Sequence, residues 1–251
     1  MKLKKITDDI TFGTNILDIE VPEHLKKKFK SGLSFVDGAM GGEGFTPSAV
    51  TLFTGTPGAG KTTLMLTLAD KMTKQGATVL FNTAEESLYQ TAMTAKRLRL
   101  TNGFRAGNSN DVNEIIENAR KMQKAAAKTG DQFVLIVDSL QCLDDGMYSS
   151  GKITSCTAIR CLQIITDFCK ETGAIGLIIN QVNKSGKMSG SNKLKHMVDS
   201  HMHLSVEEKD EDFKGCRILE TQKNRFGGCG HMFYLALRKT GFREVAKIEE
   251  F

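Results

Sequence analysis

The sequence predicts an α/β fold in which a mostly parallel central sheet is flanked by helices. Three observations support this prediction. Apolar segments of strand length alternate with longer segments of helical periodicity between residues 49 and 180. Segments such as FVLIV and IGLII are almost continuously apolar, which is typical of parallel strands buried on both faces. A glycine-rich loop separates the first apolar strand from the first long helix, an arrangement that many phosphate-binding α/β proteins share.

The chain is long enough for one large α/β domain, since it has 251 residues of which 40% are hydrophobic. Residues 1–30 are predicted to form an N-terminal arm, and turn-forming residues from Ser31 onward mark the start of the domain at 31–251. The arm ends in the charged run EHLKKKFK, which we expect to be a solvated face. A nucleic-acid contact is the alternative, and the arm could also pack on a neighbouring subunit.

Bulk charge and hydropathy limit the classes of protein to consider. The net charge of +5 weakly favours a polyanionic partner, although many proteins with such a charge bind none. No apolar run approaches the roughly 18 residues that a membrane helix needs. The first residues, MKLKKITDDITFG, lack the apolar stretch of a signal peptide. We therefore expect a soluble, cytoplasmic protein without membrane contact.

The elements follow one another in a regular order. The first strand is AVTLFTG, and the helix after the glycine loop is TTLMLTLADKM. Next come the strand ATVLFNT, the helices ESLYQTAMTAKRL and NDVNEIIENARKMQKAAAK, the strand FVLIVDS, the helix ITSCTAIRCLQIITDFCKE and the strand AIGLIIN. Beyond residue 200 only strands are predicted, HMHLSV, GCRILETQ and MFYLALR, and these should extend the sheet with antiparallel pairs.

The glycine loop GTPGAGKTT has the spacing of a phosphate-binding loop, the Walker A motif. Its glycines allow successive N–H groups to surround an anion, at the positive end of the following helix. Lys61 would supply a charge to the outer phosphates of ATP, and the Thr62 hydroxyl suits Mg²⁺. An ordinary glycine turn is the alternative. The residues predicted to bind the nucleotide are Gly55, Thr56, Pro57, Gly58, Ala59, Gly60, Lys61, Thr62 and Thr63.

Polar side chains end three of the apolar strands, where an open parallel sheet places its site. Asp138 ends FVLIVDS and is predicted to hold Mg²⁺ together with Thr62. Glu85 and Glu86 follow ATVLFNT and are candidates to activate the attacking water, with Glu85 preferred. Gln181 follows AIGLIIN and could sense the γ-phosphate, as could its neighbour Asn180. The alternative for Asp138 is a surface acid that happens to end a strand. The alternative for Glu85 and Glu86 is that they only begin a helix as acids near its positive end.

Several stretches together resemble the ATPase core of the RadA/Sms family, which is related to RecA and to DnaB-type ring helicases. They are TGTPGAGKTTLMLTLADKM, TAEESLYQTAMTAKRL, VDSLQCL, FCKETGAIGLIINQVNKSGKMSGSNKLKHMVDSHMHL, KNRFG and TGFREV, in the family's order from about residue 31 to 246. The resemblance implies a RecA-like P-loop ATPase fold over 31–251. It also implies a DNA-dependent, branch-migration or helicase type of ATPase in recombination and repair, assembled as a hexameric ring.

Two basic stretches carry further predictions, and the resemblance implies the role of the first. In the ring-forming relatives, cations equivalent to Lys223 and Arg225 of KNRFGG reach the γ-phosphate of the neighbouring subunit, whereas in a monomer they are ordinary turn residues. The segment 183–195 is predicted to be a flexible loop that contacts the backbone of single-stranded or branched DNA. A solvated surface loop is the alternative. Its candidate DNA contacts are Lys184, Lys187, Lys193 and Lys195.

The chain also departs from the family's pattern. No four-cysteine zinc module precedes the predicted domain and no Lon-like domain follows it, so only the ATPase core is expected. Asn180, Gln181 and Val182 stand where the family usually has Gly-His-Val, an arrangement closer to RecA. His201 and His203 alternate along a predicted strand near His196, which strand periodicity explains more simply than a metal site. The main functional alternative is a nucleotide-switched regulatory module of KaiC type; a DnaB-type replicative helicase is disfavoured.

Overall fold

The computed structural model describes residues 11–148, 154–181 and 191–248. Its nine strands form one sheet in the order β3-β2-β4-β5-β1-β6-β7-β8-β9. The strands are β1 Val50–Gly55, β2 Thr78–Thr83, β3 Arg105–Gly107, β4 Phe133–Asp138, β5 Ile175–Gln181, β6 Ser200–Val206, β7 Arg217–Asn224, β8 Met232–Arg238 and β9 Gly241–Ile248. Strands β1 to β6 pair in parallel, and β7 to β9 continue the sheet from β6 in antiparallel pairs.

Helices cover both faces of this sheet. The helices of the described residues are α1 Glu23–Lys26, α2 Ser34–Ala39, α3 Lys61–Lys74, α4 Leu88–Arg97, α5 Val112–Thr129, α6 Ser155–Thr172 and α7 Ser191–Met197. One buried apolar cluster joins α2 and α3 to residues such as Phe53 and Phe81, which point to one side of their strands. A second cluster joins α5, α6 and α7 to the alternate residues, such as Leu52 and Leu135. Burial on both faces explains why these strands are almost continuously apolar.

The seven predicted strands are confirmed as β1, β2 and β4 to β8, and two strands of the described chain, β3 and β9, were missed. β3 has only three residues and no apolar pattern; it exists because β2 offers it a parallel partner. β9 is mostly exposed and therefore lacks a buried alternation. The predicted antiparallel extension is also confirmed, with the refinement that β6 joins β1 in parallel before the direction reverses at β7.

The prediction of one flexible loop over 183–195 is wrong at its C-terminal end. Residues 191–197 form α7, which carries Lys193 and Lys195. Leu194 is buried in the same apolar cluster as α6, together with Val198 just after the helix. Burying these two apolar side chains, four positions apart, favours a helical turn over a flexible chain. Lys184 and Lys187 lie outside the described residues.

The predicted arm is attached to the domain at its end. Phe29 and Phe45 form an antiparallel bridge with two backbone hydrogen bonds, and the Phe29 ring packs on the core. Earlier in the arm the apolar side chains of Phe12, Ile16 and Leu17 are exposed. Among the described helices, none is both long and apolar enough to cross a membrane.

Candidate active site

The carboxyl ends of the central parallel strands bring the glycine loop and several other predicted site residues to one edge of the sheet. Gly55 at the end of β1 is in register with Gln181 at the end of β5. Thr83 at the end of β2 is in register with Asp138 at the end of β4. Parallel register therefore places the glycine loop, Asp138, Gln181 and the residues that follow Thr83 side by side.

The glycines of the loop are required by its backbone. Gly58 and Gly60 have φ angles of 78° and 103°, in the region that favours glycine. A Cβ atom on Gly55 would lie 2.1 Å from the carbonyl oxygen of Leu204 in β6, so a side chain cannot fit there. Gly60 is the N-cap of α3, and in the described chain no side chain caps this helix start. The first N–H groups of α3 are thus available to an anion.

Lys61 is buried inside the loop, with 8% of its surface exposed. Its ammonium group donates to the carbonyl oxygens of Gly55 and Thr56, at 2.8 and 3.0 Å. Burial lowers the pKa of Lys61, and the nearby carboxylates of Asp138 and Glu85 partly oppose this shift. The partners of the Lys61 ammonium are thus two neutral carbonyl oxygens, and charged phosphate oxygens would form stronger hydrogen bonds with it.

Thr62 and Asp138 form the candidate metal site. The Thr62 hydroxyl donates to Oδ2 of Asp138 at 2.6 Å. Asp138 is 5% exposed, and its pKa is raised to about 6, mainly by burial and then by the carboxylates of Glu85 and Glu86, although the Thr62 hydroxyl and Lys61 act against the shift. A hydroxyl and a carboxylate are oxygen ligands of the kind that Mg²⁺ prefers, and the crowded negative charge favours a cation. The residues present fit Mg²⁺.

Glu85 is the acid that faces this site. Its carboxylate accepts hydrogen bonds from Nε2 of Gln181 at 3.0 and 3.1 Å, from Nε2 of Gln141 at 2.8 Å and from the Ser139 hydroxyl. The backbone of Glu86, by contrast, is tied to Thr83, whose hydroxyl bonds both its N–H and its carbonyl at 3.1 Å. The geometry thus distinguishes two acids that are adjacent in sequence and favours Glu85.

Sequence reasoning missed Ser139 and Gln141, although both lie close behind Asp138. A 3-10 turn over Leu140–Cys142 directs Gln141 back toward Glu85. Their position just past the end of an apolar strand is the signal that could have found them.

A second missed contact lies beneath the loop, where Thr54 precedes Gly55. The Thr54 hydroxyl is 2.7 Å from Nε2 of His201 and 2.8 Å from Nδ1 of His203, both on β6. Burial, with smaller contributions from Lys195 and other cations, lowers the pKa of His201 to about 3. His201 is therefore a neutral partner of Thr54, and burial lowers the pKa of His203 as well. The described part of the chain contains no group of three or more His, Cys, Asp or Glu arranged to hold a metal.

Lys223 and Arg225 are not brought to the glycine loop of their own chain. Lys223 on β7 pairs with His201 on β6. Gly55 of the glycine loop pairs with Leu204, which lies three residues further along β6. Lys223 and Gly55 are therefore about 10 Å apart along the strand direction and two strands apart across the sheet. The Lys223 ammonium donates to the carbonyls of Val198 and Lys195 near the end of α7, at 2.6 and 3.0 Å.

Arg225 is bound to Asp199, at the edge of the sheet where β6 begins. This edge is opposite to the one that carries the glycine loop. The Arg225 guanidinium lies 3.0 Å from Oδ1 of Asp199, and half of its side chain is exposed. Asp199 is almost fully buried, and its Oδ2 also accepts from the N–H of Val50 at 3.1 Å. Arg225 is consequently the more exposed of two cations that lie well away from the glycine loop of the same protomer.

The chain is similar to known proteins over most of its length. A family model described as "AAA domain" matches residues 41–187, which contain the glycine loop, Glu85, Asp138 and Gln181. The chain belongs to this AAA-domain family. The match covers more than half of the chain, including all the parallel strands except β6.

Within the AAA-domain family, the chain is similar to curated proteins named "DNA repair protein RadA". The protein from Aquifex aeolicus is 30% identical over 237 residues, which are 94% of this chain and 50% of the relative. The protein from Escherichia coli is 30% identical over 219 residues, which are 87% of this chain and 45% of the relative. The chain thus spans about half the length of these relatives. The resemblance to the RadA/Sms core is confirmed.

A solved structure described as an "ATPase Domain" superimposes with a TM-score of 0.73 at 14% identity, covering 89% of this chain and 93% of that chain. At such low identity the similarity concerns the fold alone. It confirms the predicted RecA-like α/β architecture of this AAA-domain protein.

Proposed function

We propose that this AAA-domain chain binds ATP and Mg²⁺ at the glycine loop and hydrolyses the γ-phosphate with Glu85 as general base. One observation carries the proposal. A buried lysine, a Thr–Asp oxygen pair and a carboxylate held by two amides meet at the carboxyl edge of a parallel sheet, where the glycine loop opens. Each of these groups has a defined task in phosphoryl transfer.

The proposed reaction uses the chain's residues in turn. Loop N–H groups and Lys61 hold the β- and γ-phosphates, and Thr62 and Asp138 would hold Mg²⁺, which when bound neutralises phosphate charge. The Glu85 carboxylate orients a water molecule and accepts its proton as the water oxygen bonds to the γ-phosphorus. The bond between that phosphorus and the β,γ-bridging oxygen breaks, which gives ADP and inorganic phosphate. Gln181 contacts Glu85 and would report whether the γ-phosphate is present.

The second part of the proposal is assembly. We infer that Arg225, with Lys223, completes the site of an adjoining copy in a ring of six subunits, as the family resemblance implies. The location of both cations far from their own glycine loop supports action on a neighbour. The partly exposed Arg225 is the more available of the two, because Lys223 is bound to the end of α7.

The third part is the polynucleotide partner. RadA relatives carry the name of DNA repair proteins, and we infer that this chain couples ATP hydrolysis to movement on single-stranded or branched DNA. Lys193, exposed on α7, and Lys195 are the described candidates for contact with phosphates. Such contacts predict an affinity that falls with salt and shows little sequence preference.

The decisive experiment measures ATP turnover with and without single-stranded DNA. Lys61→Ala and Glu85→Gln should each lower turnover by about 100-fold or more. Lys74→Ala, at the exposed end of the same helix, should keep it. Unchanged turnover in Lys61→Ala would refute the site. Turnover that DNA fails to stimulate would favour the alternative of a nucleotide-dependent switch over a DNA motor.

A further inference from the structure

The amide of Gln141 bridges the two groups that the proposed reaction must keep together. Its Nε2 donates to Oε1 of Glu85 at 2.8 Å. Its Oε1 accepts from the backbone N–H of Gln181 at 3.2 Å. The Gln141 side chain thus binds both Glu85, which follows β2, and Gln181, the last residue of β5. Neither the sequence patterns nor the comparisons assign a role to it.

Glu85 needs such a partner because its own backbone does not fix its carboxylate. The side chain is exposed and extends from a turn between Thr83 and the start of α4, so it can adopt several rotamers. A general base acts efficiently only when it is held close to the attacking water, and an error of about 1 Å can lower a rate 100-fold. Hydrogen bonds from neighbouring side chains supply the missing restraint.

Gln141 is better placed to supply this restraint than Gln181. Gln181 also donates to Glu85, but it is the proposed sensor and must exchange partners when the γ-phosphate is present or absent. Gln141 lies on the 3-10 turn Leu140–Cys142, which follows directly from the buried strand β4. Its side chain is half-buried. Gln141 can therefore hold Glu85 while Gln181 changes its contacts.

We propose that Gln141 is a positioning residue that holds the Glu85 carboxylate against the end of β5, so that the base and the γ-phosphate sensor keep a fixed geometry. This inference rests on the proposed function, because it requires Glu85 to be the base. Gln141 acts through Glu85 and does not bind the nucleotide. Its removal should consequently change the rate of the chemical step and not the affinity for ATP.

The test compares two variants of different character. Gln141→Met keeps the length of the side chain but removes both polar atoms. Gln141→Glu keeps the shape and the acceptor for the Gln181 N–H but removes the donor to Glu85. Both should lower kcat by about 10-fold to 100-fold, with KM for ATP within about twofold of wild type. Gln163→Met is the matched control, since Gln163 is exposed on α6 and contacts Asp167, and it should behave as wild type.

A double-mutant cycle separates positioning from a general structural effect. Glu85→Asp shortens the acid and already removes the Gln141 contact, so adding Gln141→Met should change kcat by less than about twofold. The proposal would be overturned if the kcat losses of Glu85→Asp and Gln141→Met multiplied fully in the double variant. It would also be overturned if Gln141→Met had a normal kcat, or if it changed only KM for ATP. If Gln141→Met does not fold, as judged by its thermal transition, Gln141→Glu decides the question.

Failure of this inference can be told apart from failure of the proposed function. Wild-type turnover in Glu85→Gln would overturn both, because the base would be misassigned. Loss of turnover in Glu85→Gln with a normal kcat in both Gln141 variants would overturn only the positioning role.

Discussion

Alanine at Gly55 is expected to break the sheet beside the glycine loop, whereas alanine at Gly58 should leave the fold intact. A Cβ atom at position 55 would lie 2.1 Å from the carbonyl oxygen of Leu204 and 3.1 Å from its carbonyl carbon. A carbon atom normally stays beyond about 3.2 Å from such an oxygen, so β1 and β6 must separate by about 1 Å. At position 58 nothing lies within 4 Å, and only the φ of 78° is unfavourable.

The different surroundings of Gly55 and Gly58 predict different losses in the free energy of unfolding. Overpacking typically costs about 1–3 kcal/mol, and the loss of about two ladder hydrogen bonds between β1 and β6, at about 1 kcal/mol each, adds about 2 kcal/mol. Gly55→Ala should therefore lower the free energy of unfolding by about 3–5 kcal/mol, a large share of the roughly 5–15 kcal/mol of a typical domain. Gly58→Ala should lower it by about 1–2 kcal/mol. Urea unfolding followed by circular dichroism measures both. A Gly55→Ala variant as stable as Gly58→Ala would refute the reasoning.

Three further predictions concern individual side chains. Because burial lowers the pKa of His201 to about 3, the unfolded chain alone gains this proton as the pH falls below about 6.5, and the free energy of unfolding should decrease from there toward pH 3. The decrease should be less steep in His201→Gln, measured by urea unfolding at several pH values. Lys223→Met removes the donor to the carbonyls near the end of α7 and should lower the free energy of unfolding by about 1 kcal/mol. Lys214→Met changes an exposed residue and should leave the free energy of unfolding unchanged. Equal free energies of unfolding in the two variants would contradict a stabilising contact of Lys223. Thr62→Val should lower Mg²⁺-dependent ATP turnover about tenfold or more, and Thr62→Ser should largely keep it; equal losses in the two would remove the hydroxyl from the metal site.

Much of the fold could be predicted because its strands are buried on both faces. Segments such as Phe133–Asp138 are read as strands from their apolar character alone, and alternation with helices gives the parallel sheet. The elements that could not be predicted depend on contacts that are distant in sequence. Arg105–Gly107 becomes a strand only because β2 offers a free edge, and α7 forms because Leu194 is buried against the domain.

The site was predictable to the extent that it follows strand ends. That rule, together with the spacing of the glycine loop, named Asp138 and Gln181, and their roles remain predictions. The structure agrees with the preference for Glu85 over Glu86, because the Glu85 carboxylate accepts a hydrogen bond from Gln181. Gln141 was missed because a glutamine in a turn has no pattern of its own; its role appears only when the turn after β4 faces Glu85. The contact of Thr54 with two histidines likewise depends on the register of β1 against β6, which no local pattern encodes.

The supply of a cation to each ATP site by a neighbouring copy is the central claim. Mixing two inactive variants, Glu85→Gln and Arg225→Ala, tests it most directly. An Arg225→Ala subunit keeps its own Glu85 and can receive Arg225 from an adjoining Glu85→Gln subunit, so random assembly at equal amounts should restore about a quarter of wild-type ATP turnover. Absence of turnover at every mixing ratio, in particles shown to contain both variants, would contradict the claim.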